Sequence, residues 1–108
     1  MDIQQLSKTT NNIYYREDFM AFLEQHLGYI EQQGVTLVTI TETNAYKHEG
    51  NFYGILDELN IPNDFHYITM RINGFRNSNH YDGNDVNLKI PNFSIVEQLK
   101  NQYLTLKN

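Results

Sequence analysis

Between Val35 and Pro91 the hydrophobic period changes twice, and nothing else in the sequence restricts the fold as strongly. Residues Val35 to Thr41, VTLVTIT, are mostly β-branched and read as a strand. Phe52, Ile55, Leu56 and Leu59 then recur at helical spacing. So do Phe65, Ile68 and Ile72, with Tyr67 and Met70 alongside. Pro62 separates the two patterns, because proline disfavours helical geometry in the residue before it. Asn87-Leu88-Lys89-Ile90 returns to a strand period and Pro91 closes it. The order predicts a small α+β unit, strand-helix-helix-strand (βααβ).

The punctuation fits. Asn51 is the expected N-cap of the first central helix, and Asn63 or Asp64 of the second. Asn73-Gly74 ends the second helix with residues that tolerate a left-handed backbone. Thr43 to Gly50, TNAYKHEG, reads as a polar loop, and Asp82-Gly83 marks a tight turn. In the first strand Val35, Leu37, Thr39 and Thr41 point one way, and Thr36, Val38, Ile40 and Glu42 the other. Apolar groups on both faces predict cover on both sides near its start.

Two segments flank this unit. Phe19, Phe22, Leu23, Leu27 and Ile30 make one apolar stripe of a helix over 17–33. Glu17 and Asp18 suit the positive end of its dipole, and Gly34 ends it. Gly28 inside this helix predicts close packing against another element, and His26 lies beside the stripe. A last helix runs from Ser94 to Leu106, with Ser94 and Glu97 at capping-box spacing. Its stripe of Val96, Leu99, Tyr103 and Leu106 must be buried on its own domain or on a partner. Residues 1–15 form a polar arm ending in Ile13-Tyr14-Tyr15. Those three bulky residues either dock on the domain or order on a neighbouring subunit. The organisation is thus arm 1–15, added helix 16–34, βααβ module 35–91 and C-terminal helix 92–108.

Composition narrows the function classes. A chain of 108 residues forms one domain, and 40% hydrophobic residues suffice for a core. The net charge of -5 disfavours binding to nucleic acid or to an anionic membrane. There is no cysteine, hence no disulfide and no thiolate nucleophile. The start, MDIQQLSKTTNN, lacks the basic and apolar regions of a signal peptide. No stretch approaches the ~20 apolar residues of a membrane span.

His48-Glu49-Gly50, the segment FYGILDELNIPNDFHYITMRING, Asp82-Gly83 and Leu88-Lys89-Ile90-Pro91 together resemble the LysM fold. In that family a glycine-containing turn precedes two short helices. An asparagine near the end of the second, here Asn73, leads through a loop and glycine turn to the last strand. The usual Asp-Thr-Leu after the first glycine is replaced by Asn51-Phe52-Tyr53, and the loop from Arg76 to Asn87 is longer and more polar. The chain resembles most the LysM-like modules of phage tail and baseplate proteins, such as tail protein X and baseplate wedge proteins. These serve as structural connectors.

That resemblance implies a non-enzymatic virion structural protein of a phage tail, baseplate or collar, made in the host cytoplasm and located in the virion. Its partners would be other virion proteins, or further copies of itself as a ring or homo-oligomer, and no cofactor is implied. The contacts would fall on Ile13, Tyr14, Tyr15, Leu99, Tyr103 and Leu106. The alternative is a peptidoglycan- or chitin-binding module with Tyr46, His48, Asn51, His80 and Tyr81 in its groove. A second alternative is a small acidic phage-encoded inhibitor of a host protein. Enzymatic readings find no motif: there is no G-x-S-x-G and no phosphate-binding glycine loop. Neither His48-Glu49 nor His80-Tyr81-Asp82 has the spacing of a metal site.

Overall fold

The computed structural model of the chain describes residues 12–107. Its elements are α1 (Glu17–Gln25), α2 (Leu27–Gln32), β1 (Val35–Thr39), α3 (Glu42–Lys47), α4 (Phe52–Glu58), α5 (His66–Ile72), β2 (Asn87–Pro91) and α6 (Phe93–Lys107). Short 3-10 turns lie at Ile13–Tyr15, Asn63–Phe65 and Ser78–His80. The strands pair antiparallel, with Leu37 opposite Lys89 and Val38 opposite Leu88. The fold is a small α+β one, its two-stranded sheet packed on helices. No helix among the described residues is long and apolar enough to cross a membrane.

Four local readings are revised. The stretch expected as a polar loop holds α3, so three helices separate the strands. Thr41 starts α3: its Oγ1 accepts the Asn44 N–H at 3.1 Å, which ends β1 early. The helix over 17–33 breaks at His26, whose ring Nδ1–H donates to the Phe22 carbonyl at 2.7 Å. Gly28 is exposed beyond that break, and an added Cβ would meet nothing within 4 Å, so it serves no close packing. At α6 the cap is Asn92 rather than Ser94: its Oδ1 accepts the Ser94 N–H at 2.9 Å.

Two aromatic groups build the core. Phe52, Phe75 and Tyr81 meet with ring centroids 5.2–5.7 Å apart, joining α4 to the segment before β2. Tyr14 sits edge-on to Phe19 and Phe65, and Phe65 stacks on Phe93 at 4.3 Å. Tyr103 packs on Phe19 and Phe22, binding α6 to α1. Ring pairs of this kind add about 1 kcal/mol each beyond the area they bury. Glu24 on α1 and Arg71 on α5 form a half-buried ion pair, to which Tyr67 adds its hydroxyl. Arg71 holds the Glu24 carboxyl below its ordinary pKa.

Asn73 closes the sheet on one side. Its Nδ2 donates to the carbonyls of Thr69 and Lys89, and its Oδ1 accepts the Lys89 N–H, each at 2.8 Å. The side-chain amide thus takes the place of a third strand along β2. Gly74, at φ +90°, then turns the chain away in the left-handed conformation expected of this position.

The sheet is covered mainly on one face. Leu88 is buried and Val38 half-buried against the helices. On the other face the cover reaches Val35, half-buried, and Pro91, buried, and stops there. Leu37 is 69% exposed, so the expected two-sided cover does not extend past the first residue pair. With a single sheet of two strands, the helices needed to close the inner face leave none to shield Leu37.

Candidate functional site

A shallow cleft lies where α3 meets the segment before β2. Gly50 donates its N–H to the Tyr81 carbonyl at 2.9 Å. Gly83, at φ +80°, is packed so tightly that an added Cβ would lie 3.0 Å from the Glu49 Cβ. Asp82 Oδ1 accepts the N–H groups of Asn84 at 2.8 Å and Asp85 at 3.2 Å, which fixes the turn. Between these walls is a shallow cleft of about 330 Å³ lined by Glu42, Tyr46, Gly83 and Asn84. It offers one carboxylate, one side-chain amide and one exposed phenol ring. That set suits hydrogen bonding and ring stacking with a flat polar ligand.

Of the five residues expected in a glycan groove, Tyr46 alone lines this cleft, and it is 75% exposed. Tyr81 is 2% exposed and donates its hydroxyl to the Asp85 carbonyl. Burial pushes its phenol up to about 12, and Asp85 and Asp82 add to the rise. His48 is also buried: its Nδ1–H donates to the Asn44 carbonyl at 3.0 Å, and its Nε2 lies 3.5 Å from Glu58. It lines a second, smaller cavity of about 110 Å³ with Ile40, Asn44, Ile55, Glu58 and Leu59. His80 is exposed on its 3-10 turn, away from the cleft lining. Asn51 caps α4, as expected, through Oδ1 to the Gly54 N–H at 3.2 Å. Glu42 and Asn84 escaped the sequence reading because one was placed in a strand and the other in a turn.

The cap at Asn51 makes Gly54 unusual. A Cβ there would lie 2.5 Å from Asn51 Nδ2 and 2.8 Å from His48 Cδ2. Gly54→Ala therefore lowers stability by about 1–2 kcal/mol, although alanine is the better helix former. In a thermal melt the double variant Asn51→Gly, Gly54→Ala loses less than the sum of the two single changes. Additive losses would refute this local clash.

The residues expected to make subunit contacts divide in two. Tyr14, 4% exposed, and Leu99 lie in the chain's own core. Ile13 is half-buried against that core. Tyr103 is half-buried on α1 and donates its hydroxyl to Asp18. Tyr15, partly exposed, donates its hydroxyl to the Asn63 carbonyl, and Leu106 faces solvent at 72% exposure. Residues 1–11 of the arm lie outside the described residues. Tyr29, Leu37 and Leu104 are further exposed apolar residues outside the set expected to make subunit contacts. Among the described residues, no three His, Cys, Asp or Glu side chains cluster as metal ligands do.

No protein-family model, curated protein or solved structure matches this chain.

Proposed function

We propose that this chain is a non-enzymatic structural protein of a phage virion, a connector in a tail, baseplate or collar that works through subunit contacts. The observation that carries the reading is the apolar edge α6 leaves open. Its last core contact is Tyr103, against Phe19 and Phe22. Beyond it Leu104 and Leu106 are exposed on a helix that continues to Lys107. Apolar side chains that the domain's own packing does not use mark surfaces for other proteins. The resemblance of the sequence to LysM-like connector modules supports the same class, with a third helix, α3, added between the strands.

The expected result is that the protein co-sediments with assembled particles from cells producing the phage. The variant Leu106→Lys keeps the wild-type melting temperature, because that side chain is 72% exposed, and is lost from particles. Particles that contain the variant at the wild-type level would overturn this assignment of the contact. A protein wholly absent from particles would overturn the virion reading.

The cleft at Tyr46 favours a second reading, binding of a cell-wall glycan. Saturable retention on insoluble peptidoglycan, abolished by Tyr46→Ala, would replace the connector with a wall-binding module. Tyr46 is the residue to change, since Tyr81 supports the core.

A further inference from the structure

We propose that the outer edge of β1 pairs with β1 of a second copy of this chain, antiparallel, about a two-fold axis at Leu37. The inference stands apart from the virion reading and rests on the hydrogen-bond phase of the sheet. Lys89 directs both backbone groups at Asn73, away from β1. Its ladder partner Leu37 therefore directs its own N–H and C=O away from β2. Ile40 donating to the Val86 carbonyl at 2.8 Å lies in the same phase. It follows that Val35, Leu37 and Thr39 turn their backbone groups outward. No described residue donates to or accepts from these groups outside the sheet. The two edges of the sheet are thus unlike: β2 is closed by Asn73 and β1 is open.

Edge strands are usually guarded by charge, proline or a bulge. From Val35 to Thr41 this edge carries no charge and no proline, in a chain with thirteen acidic and eight basic side chains. A hetero-partner drawn to an acidic protein by charge would find nothing to hold here, whereas two copies meet without like-charge contact. The edge is also self-complementary. With Leu37 facing Leu37, Val35 faces Thr39 and Thr36 faces Val38. Every outward backbone group then finds a partner, and a four-stranded sheet results. The exposed Leu37 side chains lie side by side at its centre. On each outer strand Lys89 stands opposite Leu37 on the same face, its ammonium held 3.1 Å from Glu31. One strand edge buries less than the ~1,600 Å² of a standard interface, so the pair forms at high protein concentration.

The chain has no cysteine, which makes the register directly testable. In a hydrogen-bonded antiparallel pair the Cα atoms are about 5.5 Å apart, within disulfide reach. Leu37→Cys and Thr39→Cys are compared at equal concentration under mild oxidation. Each rate is divided by the variant's rate of alkylation with a small reagent, which removes differences in thiol reactivity. Leu37→Cys is expected to cross-link at least ten times faster, since Thr39 faces Val35 and not itself. Sedimentation of the wild type is expected to show mass rising with concentration, and Leu37→Lys to stay monomeric with an unchanged melting temperature. Equal normalised cross-linking of the two cysteine variants would overturn the register. A wild type that stays monomeric to millimolar concentration would overturn the pairing itself.

Discussion

Raising the pH from 10 to 12 unfolds this protein in one cooperative step. Tyr14, Tyr15, Tyr67 and Tyr81 each have a phenol raised from 10.0 to about 12, chiefly by burial. The native state therefore keeps protons that the unfolded chain releases above pH 10. Unfolding releases them, so stability is complete below pH 10 and declines as the pH rises toward 12. For the nearly inaccessible Tyr14 and Tyr81, holding the proton up to about pH 12 corresponds to roughly 3 kcal/mol each at most. Tyr67 and the more exposed Tyr15 add less, because water screens them. The sum is comparable to the whole stability of a small domain, about 5–15 kcal/mol. Phenolate absorbance and circular dichroism should change together. Ionisation of all eight tyrosines near pH 10 with the helical signal intact would contradict the prediction.

Two substitutions separate the contributions. The Tyr14 hydroxyl is buried and has no hydrogen-bond partner among the described residues. Tyr14→Phe therefore moves the alkaline transition to higher pH at no loss of stability at neutral pH. Tyr81→Phe also delays alkaline unfolding, but it gives up the bond to the Asp85 carbonyl and costs about 1 kcal/mol at neutral pH.

The second large effect is at Asn73. Asn73→Ala removes the two bonds that tie the end of α5 to β2 and the one to the Thr69 carbonyl within α5, and leaves the Lys89 backbone groups without a partner. The expected loss is about 2–3 kcal/mol, with the Lys89 amide losing its protection from hydrogen exchange. Asn73→Asp is worse at neutral pH. Its carboxylate still accepts the Lys89 N–H, but it also faces the carbonyls of Thr69 and Lys89 that the amide had bonded. Acidification protonates that carboxyl and returns part of the loss, whereas the alanine variant gains nothing there. A loss below about 0.5 kcal/mol for Asn73→Ala would show that β2 stands without this amide.

The cleft was legible only in outline. Tyr46 is on it, but His48 and Tyr81 appeared equally available as residues of polar loops. Loop residues look alike in sequence, whether they face water or fill the core. What distinguishes Tyr81 is the pair of rings beside it, Phe52 and Phe75, brought there from α4 and from the chain after α5. The same holds for the contact set. Tyr14 and Leu99 lie within apolar patterns that require burial, and only the packed fold shows that their own domain buries them.

Local chemistry determined much of this protein. The two strands, α4, α5, the Asn51 cap, the turn at Asn73-Gly74 and the C-terminal helix follow from side-chain period, proline and backbone preference. These are properties of a few neighbouring residues, and the tertiary structure keeps the elements while moving some ends: β1 stops at Thr39, and α5 begins at His66 after a 3-10 turn, with no cap from Asn63 or Asp64. It decided what depends on distant partners: that α3 forms where a loop was expected, that His26 breaks the first helix, and that Asn73 closes one edge of the sheet. It also decided that Leu37 is left bare. Periodicity says that a strand has two apolar faces, but not how many helices will be on hand to cover them. Here the covering layer serves the inner face, and the far side of β1 remains open to a partner.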